Sequence, residues 1–312
     1  LDGVTGVQTC ALPIFQSATV RELAAKLANG SALKRLTGAA ATGTPRVVFM
    51  FPGGGAQYPN AARKLYESNK IFRAAAEECF ASMPASAPTD LRAVMFEADD
   101  PEAARLTLEQ PMHSLLSVFT VEYAMAKLWA SWGAEPAALI GHSAGEYVAA
   151  VVAGVMSLKD AIGVVALRGE IFESAPAGGM LSVKDSEEKV RALAGDDLDI
   201  AVINAPNLTV VSGAQAPLAA FASRLDAEGI EHAPIRIRVA AHSRMLDDAL
   251  PRFRAFLNTV KFSEPKLPFI SNLSGQVAAL GEVTNADYWV RHLRHAVRFA
   301  DGLHAALAAP NT

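Results

Sequence analysis

Ser143 lies in Gly141-His142-Ser143-Ala144-Gly145, after the apolar run Ala137-Ala138-Leu139-Ile140 and before the helix-forming stretch Glu146 to Ala153. A serine between glycines at a strand-to-helix turn is the nucleophile elbow of acyl-transfer enzymes. So sharp a turn leaves no room for side chains two residues either side of the serine, and both positions must be glycine. The Oγ then projects from the turn, while the helix N-terminus aims N–H groups and a positive dipole end at the reacting centre. A plain strand-turn-helix with a serine cap gives the same pentapeptide. What partners the serine therefore decides the reading.

A hydroxyl needs a base to become a nucleophile, and seven histidines compete for that role: His113, His142, His232, His242, His292, His295 and His304. His142 is inside the elbow, where its ring points away from Oγ. His242, in Ala240-Ala241-His242-Ser243, stands where the chain leaves one predicted lobe for another; a lone histidine at a junction is also commonly structural. Hydrolases of this architecture run serine, acid, histidine along the chain. Asp196, Asp197, Asp199 and Asp226 fall between Ser143 and His242, but none has a distinguishing context, and a backbone carbonyl could orient the imidazole equally well. Pro52-Gly53-Gly54-Gly55-Ala56-Gln57 offers unshielded amides for an anion, without the Gly-Lys-Ser/Thr ending of a nucleotide loop. One of these amides, with that of Ala144, would form an oxyanion hole, each donor being worth about 3 kcal/mol of barrier; the alternative is a tight turn at a sheet edge. Arg168 lies in an otherwise apolar segment, Leu158 to Phe172. Such an arginine either snorkels to solvent or holds a planar fork for a carboxylate.

The elements that position these residues read as α/β. Val47 to Phe51 is a continuous apolar run expected to be a strand buried on both faces, Met112 to Trp132 is a helix stopped by Gly133, and the elbow strand follows. Between Gly179 and Ala240 the expected order is strand Met180–Val183, helix Ser186–Leu193, strands Asp199–Asn204 and Leu208–Ser212, helix Pro217–Leu225 and strand Ile235–Val239. That is βαββαβ, the ferredoxin-like split motif. The fold expected is a large α/β-hydrolase-like parallel-sheet subdomain, residues 46–178 and 241–312, with an inserted small ferredoxin-like subdomain, residues 179–240. Residues 1–14 read as a non-native or disordered extension, and 15–45 as a linker segment with a short helix at Thr19–Leu27 and a small-residue stretch at Gly38–Pro45. The absent methionine and abrupt ending point to a piece of a longer polypeptide.

Composition excludes several classes. Among 312 residues, 28 Lys and Arg face 32 Asp and Glu, a net charge of −4 that lacks the basic footprint of nucleic-acid binding. Two cysteines, Cys10 and Cys79, fit neither a disulfide framework nor a zinc site and agree with a reducing cytoplasm. No apolar run approaches the roughly 20 residues of a membrane span. No metal, nucleic acid or membrane is expected as a partner.

Taken in order, these residues resemble the acyltransferase domains of modular (type I) polyketide synthases and, more distantly, the malonyl-CoA:acyl carrier protein transacylases of fatty acid synthesis. The likeness runs from about Val47 to Leu303. It rests on Phe51 to Gln57, Gly141 to Glu146, Arg168 located 25 residues after the serine, Asn204 with Val211-Ser212-Gly213, Ala241-His242-Ser243, Ser271-Asn272 with Gly275, and Tyr288 to Arg294 with Val297-Arg298-Phe299.

The resemblance implies a two-step transfer in which Ser143, activated by His242, takes an acyl group from CoA. The acyl-serine then passes it to the phosphopantetheine thiol of an acyl carrier protein. It implies that backbone carbonyls near His292 hold the histidine, that Gly54 and Ala144 supply oxyanion N–H groups, and that Arg168 pairs with the free carboxylate of a malonyl-type unit. Gln57, His142, Asn204, Ala241 and His292 are implied as pocket or specificity residues. No cofactor is implied as permanently bound; acyl-CoA is the substrate and the phosphopantetheine belongs to the carrier protein. Neighbouring synthase domains are implied as partners, with a ketosynthase on the N-terminal side.

Two departures stand out. Gly54 occupies the place of a family glutamine, and Val239-Ala240-Ala241-His242 matches neither the His-Ala-Phe-His of malonyl-selective domains nor the Tyr-Ala-Ser-His of methylmalonyl-selective ones. Ala241 leaves room for an α-methyl, whereas Ala144 lacks the glutamine frequent in methylmalonyl enzymes; the balance leans slightly to malonyl with methylmalonyl open. Arg291, His292, Arg294, His295 and Arg298 form either a carrier-docking patch or a solvated charged face. A thioesterase or lipase-like hydrolase, a stand-alone fatty-acid-synthesis transacylase and a silent scaffold are the competing readings.

Overall fold

Apolar β-runs and amphipathic helices alternate along the chain, and the computed structural model describes them for residues 46–308 apart from 236 and 238. The expectations for residues 1–45, including the helix at Thr19–Leu27, lie outside the described residues.

Strand β1 (Val47–Phe51) is followed by helices α1 (Arg63–Ser68), α2 (Lys70–Ala81), α3 (Leu91–Phe96), α4 (Pro101–Leu108) and α5 (Pro111–Ser131), then by β2 (Pro136–Gly141), α6 (Gly145–Ala153) and α7 (Leu158–Ser174). Helix α5 starts with Pro111 in its first turn and has a near-continuous apolar surface; Leu116, Phe119 and Leu128 are fully or almost fully buried. A helix apolar nearly all round must be wrapped by others, and α2 and α7 pack against it.

β1 and β2 run parallel, and so do β2 and the short β7 (Phe269–Ile270), giving a sheet ordered β1-β2-β7. Phe51 is level with Gly141 across the first pair. Both strands thus end at one height, which sets the glycine-rich turn after β1 beside the elbow after β2. The expectation that β1 is buried on both faces is corrected: Val47 is 44% and Met50 49% exposed, because β1 is the edge of this sheet among the described residues.

A second sheet is antiparallel and ordered β4-β5-β3-β6. Its elements follow as β3 (Gly178–Val183), α8 (Glu187–Ala194), β4 (Asp199–Ala205), β5 (Leu208–Ala214), α9 (Gln215–Ala227) and β6 (His232–Ile235), so the βαββαβ order is present. Ser186 caps α8 by accepting from Lys189 N, with Glu187 and Glu188 in the first turn where the helix dipole favours acids. The last strand differs from the sequence reading: it lies at His232–Ile235, not Ile235–Val239. The Ile237 N–H donates to the Ile235 carbonyl at 2.8 Å, back to the end of its own strand rather than across the ladder, despite the alternating apolar pattern.

The chain then passes through a 3-10 turn (Arg244–Ala249), α10 (Leu250–Leu257), β7, α11 (Ala286–Arg294) and α12 (Phe299–Leu307). Between the last two helices Val297 lies along β4, where it donates to Ala201 O and accepts from Ile203 N, both at 2.9 Å. This bridge holds the end of α11 against the second sheet. Among the described residues no helix is long and apolar enough to cross a membrane.

Candidate active site

The elbow glycines are sterically required. A Cβ on Gly141 would stand 2.1 Å from Glu146 N, and one on Gly145 2.2 Å from Phe51 O and 2.4 Å from Pro52 O. The turn is that tight because Ser143 adopts φ 51°, a left-handed conformation rare for a side-chain-bearing residue. Strain of this kind persists only where the surroundings over-determine it, and Asn272 does so. Its Oδ1 accepts from Ser143 N at 2.8 Å, and its Nδ2 donates to Gly141 O at 2.7 Å. Asn272 N in turn donates to Glu146 Oε2 at 2.8 Å, and the Tyr288 hydroxyl bonds Glu146 Oε1 and, at 3.0 Å, Ser271 Oγ. Glu146 has no exposed surface, and burial pushes its carboxyl up to about 8 against the opposing pull of the Tyr288 and Asn272 hydrogen bonds. Sequence reasoning gave no role to Asn272, Glu146 or Tyr288. All three stand in stretches that carry the resemblance, and Glu146 is also an acidic residue inside the apolar helix α6.

His242 reaches the serine. Its Nε2 is 2.7 Å from Ser143 Oγ, and its Nδ1 is 3.0 Å from the carbonyl oxygen of His295. A carbonyl only accepts, so Nδ1 carries the proton and donates it, leaving the Nε2 lone pair to accept from the serine hydroxyl. Burial first, then the charge of Arg168, holds the imidazole well below the usual histidine range, so it is neutral and ready as a base. The orienting group is a backbone carbonyl close to His292 in the chain, as the resemblance implies: that of His295. The His292 ring is 1% exposed, packs edge-on to His242 with centroids 6.3 Å apart, and has no hydrogen-bond partner on either nitrogen. Its Nε2 lies 3.9 Å from Glu146 Oε1, too far for a hydrogen bond, and burial holds it well below its ordinary value.

Arg168 takes the buried alternative. It lies on the inward face of α7 with 1% exposure, and its Nη2 donates to Ser143 Oγ at 2.7 Å and lies 3.5 Å from His242 Nε2. The guanidinium carbon stands 5.1 Å from the Phe172 ring centroid and 5.7 Å from that of Tyr147, within reach of both ring quadrupoles. No carboxylate among the described residues pairs with it, and its Nε and Nη1 are buried without acceptors. A buried cation with two idle donors is costly unless an anion completes it.

Ala144 opens α6 beside the serine. On the facing turn it is Gly53 that touches the elbow, since a Cβ there would lie 2.7 Å from His142 O, while one on Gly54 would meet only Leu115 and Ser114 at 3.5 Å or more. The His142 ring turns away from the serine, with Nε2 2.8 Å from Asn204 Oδ1, and burial lowers its pKa. Ala241 is buried next to the base. Gln57 is not brought into contact with the serine; its Oε1 accepts from Gly55 N at 2.8 Å and its Nε2 donates to Leu108 O at 3.1 Å, bracing the turn after β1. Among the described residues no group of three His, Cys, Asp or Glu side chains is placed to hold a metal ion.

One Oγ thus faces a neutral imidazole and an unpaired guanidinium, in the arrangement by which a serine enzyme can form and break an acyl ester. The comparisons with known proteins agree. Residues 48–312 match the family model described as the acyl transferase domain. The chain is 37% identical over 289 residues to mycoketide-CoA synthase of Mycobacterium tuberculosis, covering 92% of this chain and 7% of that protein. It is 35% identical over 272 residues to a component of the phenolphthiocerol/phthiocerol polyketide synthase of the same species, covering 87% of this chain and 18% of that protein. Among solved structures, the acyltransferase domain of the second module of the salinomycin polyketide synthase aligns with a TM-score of 0.78 and 34% identity over 94% of this chain and 69% of that one. The acyltransferase domain of SpnD in complex with 2-(pent-4-yn-1-yl)malonyl aligns with a TM-score of 0.81 and 32% identity, again over 94% and 69%. The chain belongs to the acyl transferase domain family. It spans less than a fifth of the length of these two synthases.

Proposed function

We propose that this domain moves a malonyl-type extender unit from CoA to the phosphopantetheine thiol of an acyl carrier protein, through an ester on Ser143. The observation that carries the reading is Arg168: a buried guanidinium with Nε and Nη1 unpaired, bonded through Nη2 to the same Oγ that His242 contacts. A simple thioesterase or lipase has no use for a buried unpaired cation at its nucleophile. A transferase that selects a dicarboxylic acyl group does, because an uncharged acyl chain leaves the fork desolvated and idle.

In the first half-reaction His242 Nε2 takes the hydroxyl proton as Oγ attacks the thioester carbonyl, and the same proton goes to the departing CoA sulfur. In the second, the carrier thiol gives its proton to Nε2, its sulfur attacks the ester carbonyl, and Oγ leaves and regains the proton. The oxyanion of each tetrahedral intermediate is assigned to the N–H groups of Ala144 and the Gly53-Gly54 turn. Every group the chemistry needs is a side chain or amide of this chain, so no resident cofactor is required. Malonyl is the favoured extender, with methylmalonyl second because Ala241 puts little bulk beside the base.

On this reading the antiparallel β3–β6 sheet is an inserted ferredoxin-like lobe, residues 179–240, and the parallel sheet is the hydrolase-like body. The partners are a carrier protein and flanking synthase domains in the cytoplasm. Incubation with malonyl-CoA adds one malonyl mass to the wild-type protein, read by intact-mass spectrometry, and Ser143→Ala abolishes the adduct. Labelling that persists in the mutant removes Ser143 as nucleophile.

A further inference from the structure

Two backbone segments must stay in register for His242 to work: the one that carries its ring and the one that offers the His295 carbonyl to Nδ1. Neither is rigid by itself. His242 has φ 57°, a left-handed conformation that a side-chain-bearing residue adopts at a cost of about 1–3 kcal/mol. His295 lies just past the last residue of α11; its N–H still donates to the Arg291 carbonyl at 2.8 Å, but its own carbonyl belongs to the extended chain that follows and takes no helical bond. The Val297 bridge to β4 holds the second segment two residues further on, and a side chain of the same strand reaches towards both.

We infer that Asp199, the first residue of β4, is a positioning residue for the His242 base. Its Oδ2 accepts from Arg244 N at 2.9 Å and from Arg244 Nε at 3.0 Å, and its Oδ1 accepts from Arg244 Nη2 at 3.3 Å. The same Oδ1 lies 3.6 Å from Arg294 Nη1, whose Nε reaches Asp247 Oδ1 at 2.5 Å. Arg244 follows His242 by two residues, and Arg294 immediately precedes His295. One carboxylate on the second sheet therefore ties down both the chain leaving the base and the chain presenting its orienting carbonyl. The ties are stronger than those of an ordinary surface pair. The Asp199 side chain is 16% and that of Arg294 18% exposed, and one bond runs to the main chain rather than to a mobile tip. Burial acts to raise the Asp199 pKa, yet the hydrogen bonds from Arg244 and the charges of Arg294 and Arg244 outweigh it and hold the carboxyl below its usual value.

Loss of the carboxylate frees residue 244 from β4 and loosens the His295 carbonyl, so the imidazole is no longer confined to the Nδ1–H form. The effect is on the rate of ester formation, because Asp199 touches neither Ser143 nor Arg168. Misplacement of a catalytic group by about an ångström lowers rates by up to about a hundredfold.

The test rests on the acyl-transfer reading in one arm and is independent of it in the other. In the first, the rate of malonyl-adduct formation at saturating malonyl-CoA falls at least tenfold in Asp199→Ala, with the concentration for half-saturation unchanged. Asp199→Asn, which keeps the shape and loses the charge, falls between Asp199→Ala and wild type and serves if the alanine variant does not fold. Lys184→Ala, which breaks an exposed pair with Glu231 just beyond the ends of β3 and β6, leaves the rate as it was. In the second arm, nitrogen-15 chemical shifts of the His242 ring report one Nδ1–H tautomer in wild type and a mixture in both Asp199 variants. A wild-type protein that takes no malonyl defeats the proposed function, while the ring shifts still decide the role of Asp199. A rate within twofold of wild type in folded Asp199→Ala, or a single unchanged tautomer in it, overturns the inference.

Discussion

On the proposed function, replacing Arg168 is expected to separate recognition of the acyl group from formation of the ester. In wild type, Nε and Nη1 are buried without acceptors, and the edge formed by Nη1 with the second hydrogen of Nη2 is a fork suited to one carboxylate. A hydrogen bond to a charged group contributes about 1.5–3 kcal/mol, so two give about 3–6 kcal/mol. At about 1.36 kcal/mol per factor of ten, that is roughly two to four powers of ten in the ratio of kcat/KM for malonyl-CoA over acetyl-CoA. Arg168→Ala is expected to lose that ratio through a collapse of malonyl transfer. Acetyl transfer persists or rises, because an unpaired buried cation has been removed along with the fork. Arg168→Met, which keeps most of the packing against Phe172 and Tyr147, behaves alike and separates selectivity from damage to the core. A second signature follows from charge. Burial, then Arg168, keeps the His242 pKa low. Without the guanidinium that pKa rises, the imidazole protonates at higher pH, and the acid limb of the rate moves upward. The assay is CoA release with malonyl-CoA and acetyl-CoA between about pH 5 and 8, where histidines ordinarily titrate. Equal losses for both substrates, with an unmoved acid limb, would mean that the arginine is structural and the reasoning fails.

Gly145→Ala places a Cβ 2.2 Å from the Phe51 carbonyl oxygen, a main-chain atom that cannot swing aside, and is expected to destabilise by more than about 4 kcal/mol or prevent folding. Gly55→Ala meets nothing within 4 Å and bears only the strain of φ 108°, a loss of about 1–3 kcal/mol; urea midpoints in the reverse order would contradict the packing argument. Glu146→Gln tests the buried carboxyl. Its folded-state pKa of about 8 lies above the ordinary value of 4.5, so the raised group is least costly below 4.5 and loses stability as pH rises through 8. The full swing is about 5 kcal/mol, and urea unfolding at several pH values should show a flatter profile in the glutamine variant, whereas parallel profiles count against a buried neutral acid.

How much of this was legible in the sequence depends on how far each feature reaches along the chain. The elbow could be read because its constraint is local: the glycines at 141 and 145 clash with residues that immediately follow or with the end of the paired strand. The helix at Pro111–Ser131 could be read because its apolar residues recur over 21 positions. The strand at Ile235–Val239 was misplaced because its alternation looks like a sheet edge, while the bond from the Ile237 N–H back to the Ile235 carbonyl has no signature in residue type. The exposure of β1 was missed since a run of apolar residues does not say which edge of a sheet it will occupy. The support for Ser143 was out of reach for a different reason. Asn272 acts across 129 residues and Tyr288 across 142, through side chains whose identities are ordinary. By residue type alone Arg168 is a charge in an apolar helix; the resemblance gave it a carboxylate to hold, and its direction needed the fold.

A carbonyl of the main chain, that of His295, does here what an aspartate does in the serine proteases. It bears no formal charge, so it lends the imidazolium no counter-ion and cannot itself be switched off by acid. Nor can exchanging the residue delete it, for all twenty amino acids bring the same oxygen to position 295. The base is vulnerable through the path of the backbone rather than through the chemistry of its neighbour.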